Sequence, residues 1–553
     1  MKAARVATDP MRHLDFVAHV ELVDKGLDTR RNQVVVKNKT FDKYSQTEAI
    51  LITCACRLVP VVCVQDKVLT IIKNLGMNTP TSSQCPFHVN QLPNAPPLQP
   101  LGAWPPGPVS GVTGWGILRA MSEDILGSAA RWQEVHGDVV HLRIWPEHQI
   151  SVTDPTLARE LLVSHHDAII RWERGMRVFS DLHGHSVFIA EGQAWRNKRH
   201  GLQKSFSRKS VNAMLPAITA SAERAFDQWP TINKAWPIEE ALTTLTMNVI
   251  MRVIFSSDIG DDARSAERAV RTVIGEANSE LFWPVSSPNS MPWKRPKRKA
   301  LATLNSLINR NIKSRLKDHC STWSDDLLST LLRLHQDDTV AWPLDAVRDE
   351  CMTAFLAGHE TVAATLTWWS WCMASNPAAQ EAARREVKEV LGDRTPTESD
   401  LARLSYLKQT LEETLRLYPS APVLNSKRST LPITLGGWQL PAGTMFMVPV
   451  QLMHHDPRWF HDPLNFKPER FATDANEIPR GAYIPFGVGP RVCLGLHLAM
   501  NEMIVIASML LQRFSVSVPK GTSPPLPTLK VSLRPKESLE LTIGPIPQLT
   551  VAK

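Results

Sequence analysis

The chain has 553 residues, of which 43% are apolar and 21% are charged. These proportions are those of ordinary globular proteins, so they exclude a chain that stays unfolded for want of apolar residues. The formal net charge is +8, but the basic residues are spread along the chain instead of forming runs, and we do not expect nucleic acid as a partner. Eight cysteines are too few for a disulfide scaffold.

The first hundred residues differ from the rest of the chain. All 17 tryptophans lie at or after Trp104, and seven prolines between residues 91 and 108 form a spacer that cannot continue a helix or an inner strand. We therefore predict an N-terminal extension over residues 1–100 that is poorly defined or not part of the mature protein, with Met77 as an alternative start. Residues 101–553 are predicted to form the catalytic domain.

No transmembrane span is expected. The one apolar stretch near the front, residues 49–64, contains Arg57 and Pro60 and is shorter than the roughly 20 apolar residues that cross a bilayer. Residues 1–30 contain no apolar run of signal-peptide quality, because charged residues interrupt each candidate. These features predict a cytoplasmic protein, with peripheral membrane association as the alternative.

Helical periodicity dominates the chain after the spacer. A helix is predicted at residues 115–136, followed by two short strands at 138–145 and 149–152 around a Pro-Glu-His turn. The later helices are predicted at residues 191–203, 343–375, 377–391, 405–417 and 494–514, with a turn at Gly436-Gly437 between short strands. The pattern predicts a mainly α fold with a small β region.

The strongest chemical signal is a single cysteine, Cys493, in a Gly/Pro-rich loop just before an apolar helix. Backbone amides and a helix N-terminus favour the thiolate, so this cysteine is predicted to be a metal ligand or a nucleophile. As a nucleophile it would take His497 as its base, and the protein would be a Cys-His hydrolase. As a haem ligand it would also give roles to its neighbours, since glycines let a flat macrocycle lie against the backbone and an arginine neutralises a propionate.

The spacing of this loop is F-x-x-G-x-R-x-C-x-G, formed by Phe486, Gly489, Arg491, Cys493 and Gly495. It resembles the signature of the cytochrome P-450 family of haem-thiolate enzymes at every fixed position. The resemblance implies the cytochrome P-450 fold and haem b. It further implies that Cys493 is the axial iron ligand, that Arg491 contacts a propionate, and that Phe486 packs beside the sulfur.

Two further stretches resemble the structural network of the same family. Glu413 and Arg416 match its E-x-x-R motif, and Arg470 in Lys-Pro-Glu-Arg-Phe matches its third partner. The resemblance implies a buried network behind the cysteine loop that supports folding and haem retention instead of the chemical step.

The long predicted helix contains Ala357, Gly358, His359, Glu360 and Thr361, which resemble the family's oxygen-binding motif A-G-x-[DE]-T. The resemblance implies that the two small residues leave room for oxygen, while Thr361 donates or holds water at the oxygen site and Glu360 relays protons from solvent. His359 is expected to point away.

Residues near the predicted haem edge resemble the family's W-x-x-x-R helix. Trp195 and Arg199 lie one turn apart, so the resemblance implies that both reach one propionate. A third propionate contact is expected shortly after Pro422, where Arg428 is the best candidate and Lys427 is the alternative.

The resemblance implies a monooxygenase that activates O2 and hydroxylates or otherwise oxidises an apolar organic substrate, with Val423 and Leu424 as substrate contacts. Only about 40 residues follow the last predicted helix, too few for a flavin or iron–sulfur domain. Electrons from NAD(P)H would therefore arrive through a separate ferredoxin or flavodoxin with its reductase. The alternatives are a haem-thiolate isomerase or peroxygenase, a non-catalytic haem sensor, and the hydrolase.

Overall fold

The computed structural model describes residues 98–546 except residues 101, 231, 259, 284, 285, 476, 477 and 531. Apart from its last three residues, the predicted N-terminal extension lies outside the described residues, together with Met77 and the apolar stretch at 49–64. What the sequence predicts for that part of the chain stays a prediction.

The described chain is mainly helical. Its α-helices are α1 (Trp115–His136), α2 (Pro155–Arg159), α3 (Glu173–His183), α4 (Gly192–Gln203), α5 (Arg208–Ala213), α6 (Leu215–Phe226), α7 (Ile238–Phe255), α8 (Ala263–Leu281), α9 (Arg295–Arg315), α10 (Leu327–Asp337), α11 (Leu344–Ser375), α12 (Pro377–Leu391), α13 (Glu398–Leu401), α14 (Ser405–Leu417), α15 (Val450–His454) and α16 (Leu496–Arg513). The helices predicted from periodicity are confirmed, with ends that differ by at most two residues.

The strands are short and fall into four small sheets. They are β1 (Val139–Ile144), β2 (Glu147–Val152), β3 (Ile169–Arg171), β4 (Lys234–Trp236), β5 (Leu424–Ser429), β6 (Ile433–Leu435), β7 (Trp438–Leu440), β8 (Met445–Val448), β9 (Ser515–Ser517), β10 (Pro527–Leu529), β11 (Leu533–Pro535) and β12 (Leu541–Gly544). The largest sheet has the order β1-β2-β8-β5-β3, in which only the β2–β8 pair is parallel. The predicted fold class, mainly α with a small β region, is confirmed.

Helix α11 is the central element. It has 32 residues, roughly 48 Å at 1.5 Å per residue, and most of its residues are buried. Pro343 precedes its first turn and Pro377 opens α12 just past its end, so proline bounds the helix on both sides. Its deepest side chains are Trp368 and Trp369, both 0% exposed, so the aromatic part of the helix is core.

A buried ionic network fastens α14 to the chain before the cysteine loop. Arg416 Nε and Glu413 Oε2 are 2.7 Å apart, and both side chains are 0% exposed. Arg470 Nε reaches Glu413 Oε1 at 3.3 Å, and the Lys467 N–H donates to the same oxygen at 2.9 Å. The structure therefore brings together the three charges that the sequence singles out.

The remaining Arg416 donors extend this network toward the cysteine loop. Arg416 Nη1 donates to the carbonyl oxygens of His454 and Pro463 at 2.7 Å each. His454 is fully buried, and its Nε2 accepts the Ile484 N–H at 3.0 Å. Burial lowers the pKa of His454 to about 3, with further lowering by His455 and Arg416, so the ring is neutral and can accept. The sequence analysis missed this link, since nothing marks His454 among 18 histidines.

We expect Glu413→Gln to lower the free energy of unfolding by about 3–5 kcal/mol, because it leaves the buried Arg416 guanidinium without its carboxylate. Urea unfolding followed by tryptophan fluorescence measures the loss. The matched control is Lys408→Ala on the same helix, which removes the more exposed Lys408–Glu412 pair, 3.2 Å apart, and should cost less than about 1 kcal/mol. Equal losses in the two variants would contradict the prediction.

No helix in the described part of the chain is long and apolar enough to cross a membrane.

Candidate active site

The cysteine loop is a tight turn that presents Cys493 at the start of α16. The Gly487 N–H donates to the Ile484 carbonyl at 2.9 Å, and the Cys493 N–H donates back to the Phe486 carbonyl at 3.0 Å. Gly487 and Gly489 have φ angles of 71° and 81°, in the left-handed region that favours glycine. The loop thus fixes the direction of the cysteine side chain through backbone bonds alone.

The surroundings of the Cys493 thiol act on its pKa in opposite directions. Its side chain is accessible to solvent, yet the protein around it is dense enough that desolvation raises the pKa of the thiol. A hydrogen bond from the Gly495 N–H to the sulfur and the positive charge of Arg199 act in the opposite direction and lower that pKa. Desolvation outweighs these two groups, so the net shift of the thiol pKa is upward and Gly495 and Arg199 limit it.

The two glycines of the signature have different surroundings. A Cβ on Gly489 would lie 2.5 Å from the carbonyl oxygen of Leu162. The close approach of this segment of the same chain, and not a flat ligand, is therefore what requires glycine at this position. A Cβ on Gly495 would meet no atom within 4 Å. Of the two positions, only Gly495 offers the open backbone surface that the sequence analysis assigned to both.

Helix α11 exposes a narrow strip in its middle. Ala357 is exposed and Thr361 is half-buried, one turn apart on the same face, between buried residues on either side. The Thr361 hydroxyl donates to the Ala357 carbonyl at 2.8 Å, and the helix continues through this bond without a break. We call this strip, formed by Ala357 and Thr361, the notch of α11; it carries one hydroxyl on a helix that is largely buried.

The two other small and polar positions of this motif face elsewhere. A Cβ on Gly358 would lie 2.5 Å from Cδ1 of Ile250, so this glycine permits the close approach of α7, and its role in making room for oxygen stays a prediction. His359 is 1% exposed and its Nδ1 lies 2.7 Å from the Phe355 carbonyl oxygen. The structure therefore places His359 inside the helix bundle, pointing away from the notch.

Glu360 is held in an ion pair on the flank of the notch. Its Oε2 lies 2.9 Å from Arg534 Nη2, and its Oε1 accepts from Arg534 Nε at 3.0 Å and from the Ser532 hydroxyl at 2.9 Å. Burial acts to raise the pKa of Glu360, but Arg534 and its hydrogen bonds outweigh this, and the net shift is downward. The carboxylate is therefore ionised at neutral pH.

A cluster of cations lies beside the cysteine loop. Arg491 stacks over the Trp195 ring, with its guanidinium carbon 3.9 Å from the ring centre, and it shares Glu191 with the buried Arg171. Arg199 lies close enough to Cys493 for each charge to shift the pKa of the other group. Within the described residues Arg199 has no carboxylate partner. The cluster therefore carries a positive charge, that of Arg199, which no described carboxylate neutralises.

Arg428 and Lys427 have different surroundings in the structure. Arg428 is saturated by carboxylates, since its Nη2 lies 2.8 Å from Glu147 Oε1 and its Nε lies 2.8 Å from Glu173 Oε2. Lys427 instead lies near Arg491, and burial, then repulsion by Arg171 and Arg491, lowers its pKa to about 7. Arg428 is thus engaged by two carboxylates, whereas Lys427 lies near the cations beside the cysteine loop, and which of the two contacts a propionate stays a prediction.

The predicted substrate contacts, Val423 and Leu424, are both half-buried at the start of β5. Val423 packs against the cluster of α1 and β1 side chains, and Leu424 packs against the core of the largest sheet. The structure thus places two apolar side chains at the edge between two core clusters.

These residues fit a haem. An accessible thiol with an N–H aimed at its sulfur is a suitable axial ligand, and Gly495 leaves open surface beside it. Arg199, Arg491 and Lys427 supply positive charge, and Trp195 supplies an indole N–H, for the two propionates. Phe486 is half-buried against the largest hydrophobic core.

Comparison with known proteins identifies the family. A model of cytochrome P450 matches residues 105–543. Similar proteins include cyclooctat-9-en-7-ol 5-monooxygenase of Streptomyces melanosporofaciens, 32% identical over 401 residues, which cover 70% of this chain and 84% of that protein. Another is 11-oxo-beta-amyrin 30-oxidase of Glycyrrhiza uralensis, 32% identical over 377 residues, 64% of this chain and 71% of that protein. Protein LUTEIN DEFICIENT 5, chloroplastic, of Arabidopsis thaliana is 28% identical over 445 residues, 74% of this chain and 72% of that protein.

The match covers most of the chain and includes every residue of the candidate site. The alternative of a Cys-His hydrolase built on Cys493 and His497 is therefore wrong. The chain belongs to the cytochrome P450 family of haem-dependent oxidoreductases and is an enzyme of the monooxygenase type.

Proposed function

We propose that the protein uses O2 and two electrons from separate redox partners to hydroxylate an apolar organic substrate. The observation that carries the proposal is that the residue after Cys493 packs against the core cluster that contains the residues just before the notch of α11. Leu494, which follows the cysteine, packs against the core cluster that contains Phe355 and Leu356, and these residues directly precede Ala357 in α11.

The haem, when bound, supplies the iron chemistry that activates O2, with the cysteine thiolate as the electron-donating ligand. Cys493 would hold the iron. Arg199, Arg491, Trp195 and Lys427 would hold the propionates through charge and hydrogen bonds. Because the cysteine loop is closed by its own backbone bonds, the ligand direction does not depend on any of these side chains.

Thr361 and Glu360 manage protons at the notch. The Thr361 hydroxyl proton is directed at the Ala357 carbonyl, so its oxygen offers lone pairs to a water or a substrate-side donor. Glu360 is ionised, and it accepts a proton from solvent before it can deliver one. Ala357 adds only a methyl group to the strip and leaves space next to the hydroxyl.

We base the proposal of an apolar substrate on the two substrate contacts that the sequence predicts. Val423 and Leu424 are half-buried and carry no polar atoms in their side chains. Two similar proteins are named for the oxidation of cyclooctat-9-en-7-ol and of 11-oxo-beta-amyrin. A haem-thiolate isomerase or peroxygenase is the alternative. Neither of these enzymes would need the proton transfer that we assign to Glu360 and Thr361.

The cytoplasmic location expected from the sequence stays a prediction.

The electron donor is proposed to be an acidic ferredoxin or flavodoxin. Arg196 and Lys204 lie exposed on and just after α4, the helix that carries Arg199, and Arg208 and Lys209 lie exposed on α5. Helix α5 packs against α16, which begins just after Cys493. An acidic protein that docks on these cations would therefore approach the site from the cysteine side.

We expect the reduced, carbon-monoxide-bound protein to show the strongly red-shifted Soret band of thiolate-ligated haem, and Cys493→Ser to lose it, because a serine hydroxyl cannot replace the thiolate. Absorption spectra of both purified proteins check this, and circular dichroism confirms that the variant is folded. A red-shifted band that survives in Cys493→Ser would contradict the assignment of the ligand.

We expect Lys427→Ala to lower the affinity for haem about tenfold, the equivalent of ~1.4 kcal/mol, because it removes a cation that faces the propionates. Haem transfer to apomyoglobin measures the loss. Arg428→Ala is the matched control from the neighbouring position, and it should leave haem affinity within about twofold of the native protein. If Arg428→Ala instead lowers the haem affinity more than Lys427→Ala does, Arg428 is the propionate contact.

We expect the double variant Arg208→Glu/Lys209→Glu to raise the KM for a reduced acidic ferredoxin about tenfold or more at low salt, with little change in kcat, since rim charges act on association. Lys299→Glu, an exposed lysine on α9, changes the net charge in the same direction and serves as control. If both variants raise KM equally, general charge and not a docking surface is responsible.

A further inference from the structure

Arg534 occupies an unusual position for a charged side chain. It lies on β11 near the end of the chain and is 6% exposed. Its guanidinium forms a two-pronged contact with Glu360 of α11, with Nε to Oε1 at 3.0 Å and Nη2 to Oε2 at 2.9 Å. Planar, two-pronged contacts of this kind are the strong form of an arginine–carboxylate pair.

The third nitrogen of Arg534 points to a second helix. Arg534 Nη1 lies 3.2 Å from Oε1 of Glu239 and 3.3 Å from the hydroxyl of Thr243, both on α7. Ser532, two residues before Arg534, donates to Glu360 as well. The hairpin of β10 and β11 therefore brings both of these side-chain donors to Glu360 from a part of the chain far from the oxygen motif.

We propose that Arg534 is a positioning residue that sets the proton-accepting state and the direction of Glu360. This inference rests on the proposed function, in which Glu360 accepts solvent protons for the oxygen site. With Arg534 in place the carboxylate is ionised and held against the β10–β11 hairpin, on the flank of the strip formed by Ala357 and Thr361. Proton delivery then requires Glu360 to rotate away from a partner that keeps both of its oxygens occupied.

Of the charged groups around Glu360, Arg534 has the largest effect on the pKa of that carboxyl group. Arg534 is the only cation in hydrogen-bond contact with Glu360 within the described residues. Glu239 lies on the far side of Arg534 and competes for it. His359 is buried, and its lowered pKa leaves it neutral near pH 7. Ser532 contributes a hydrogen bond but no charge.

The removal of Arg534 should therefore reverse the shift of the Glu360 pKa. In the native protein that pKa lies below the ordinary value, so the carboxylate contributes stability at neutral pH that is lost as the pH falls through the folded-state pKa. Without Arg534, burial, which raises the pKa of a carboxyl group, is opposed only by the Ser532 hydrogen bond and the nearby His359. The group would then take up a proton at a higher pH and destabilise the fold where it is ionised.

The test compares Arg534→Gln with the native holoenzyme by infrared spectroscopy as a function of pH. We expect a protonated-carboxyl C=O band near neutral pH in Arg534→Gln, absent from the native protein and absent again from Arg534→Gln/Glu360→Gln. The kcat of Arg534→Gln should gain a limb centred on the new pKa of Glu360, with a fall of roughly tenfold per pH unit above it, where Glu360 is ionised and has no proton to deliver. Arg534→Lys should move the band and the limb part of the way back, since a lysine supplies charge without the fork.

Arg315→Gln is the matched control, because it breaks another buried arginine–carboxylate pair, Arg315 with Asp326 at 2.7 Å, on α9 and away from the notch. It should cost stability without a new limb in kcat or a band that Glu360→Gln removes. If Arg534→Gln behaves as Arg315→Gln does, Arg534 is a structural residue and the inference is wrong. Should Arg534→Gln fail to fold, Arg534→Lys decides: an unshifted band and an unshifted limb overturn the inference.

The infrared band does not depend on turnover, so the two proposals fail separately. A Glu360 band that appears as expected in a protein without monooxygenase activity would overturn the proposed function alone. Normal hydroxylation with no change of the band or of the pH profile in Arg534→Gln would overturn the positioning role alone.

Discussion

The buried Arg416 guanidinium is the interaction on which the architecture of the site depends. It is 0% exposed, so each of its donors must find an acceptor within the protein. Glu413 takes two of them, and the carbonyl oxygens of His454, Pro463 and Asn465 take the others. A cation with no carboxylate at this depth would be far more costly than the pair, which is why a single charge change there affects the whole fold.

The influence of this pair reaches Cys493 through hydrogen bonds that can be followed atom by atom. His454 gives its carbonyl to Arg416 and its Nε2 to the Ile484 N–H. The Ile484 carbonyl accepts from Gly487, and the Phe486 carbonyl accepts from Cys493. The helix that carries Glu413 and Arg416 therefore aligns the cysteine loop without touching the sulfur.

Local patterns in the sequence were sufficient for the helices and for the residues of the motifs, but not for the partners of those residues. Proline and apolar periodicity bound α11 correctly, because both act within a few residues. The different surroundings of Lys427 and Arg428 have a specific cause. Strand β5 contains a bulge between Leu424 and Lys427 in its pairing with β8, and one extra residue reverses which side chains face the site. No residue type between Leu424 and Lys427 indicates a bulge.

Two glycines, Gly489 and Gly358, also make contacts that local sequence patterns do not reveal. Gly489 is fixed by the Leu162 carbonyl and Gly358 by Ile250, contacts between segments that are remote in sequence. The motifs predict a ligand-facing role for both glycines, with Gly489 beside the haem macrocycle and Gly358 beside the oxygen site. Packing against another chain segment and room for a ligand require the same residue type, so only coordinates can separate them.

The oxygen motif of α11 shows how one short stretch can satisfy several demands at once. Gly358 lets α7 approach, His359 is bonded inside the bundle, and Glu360 is paired with Arg534, so each of these neighbours is committed to a partner outside the notch. Only Ala357 and Thr361 remain to shape the open strip. Because consecutive helix positions point in different directions, a substitution in this motif alters one contact and leaves the others in place. That independence is what allows Glu360 to be controlled from the distant β10–β11 hairpin while Thr361 keeps its own geometry.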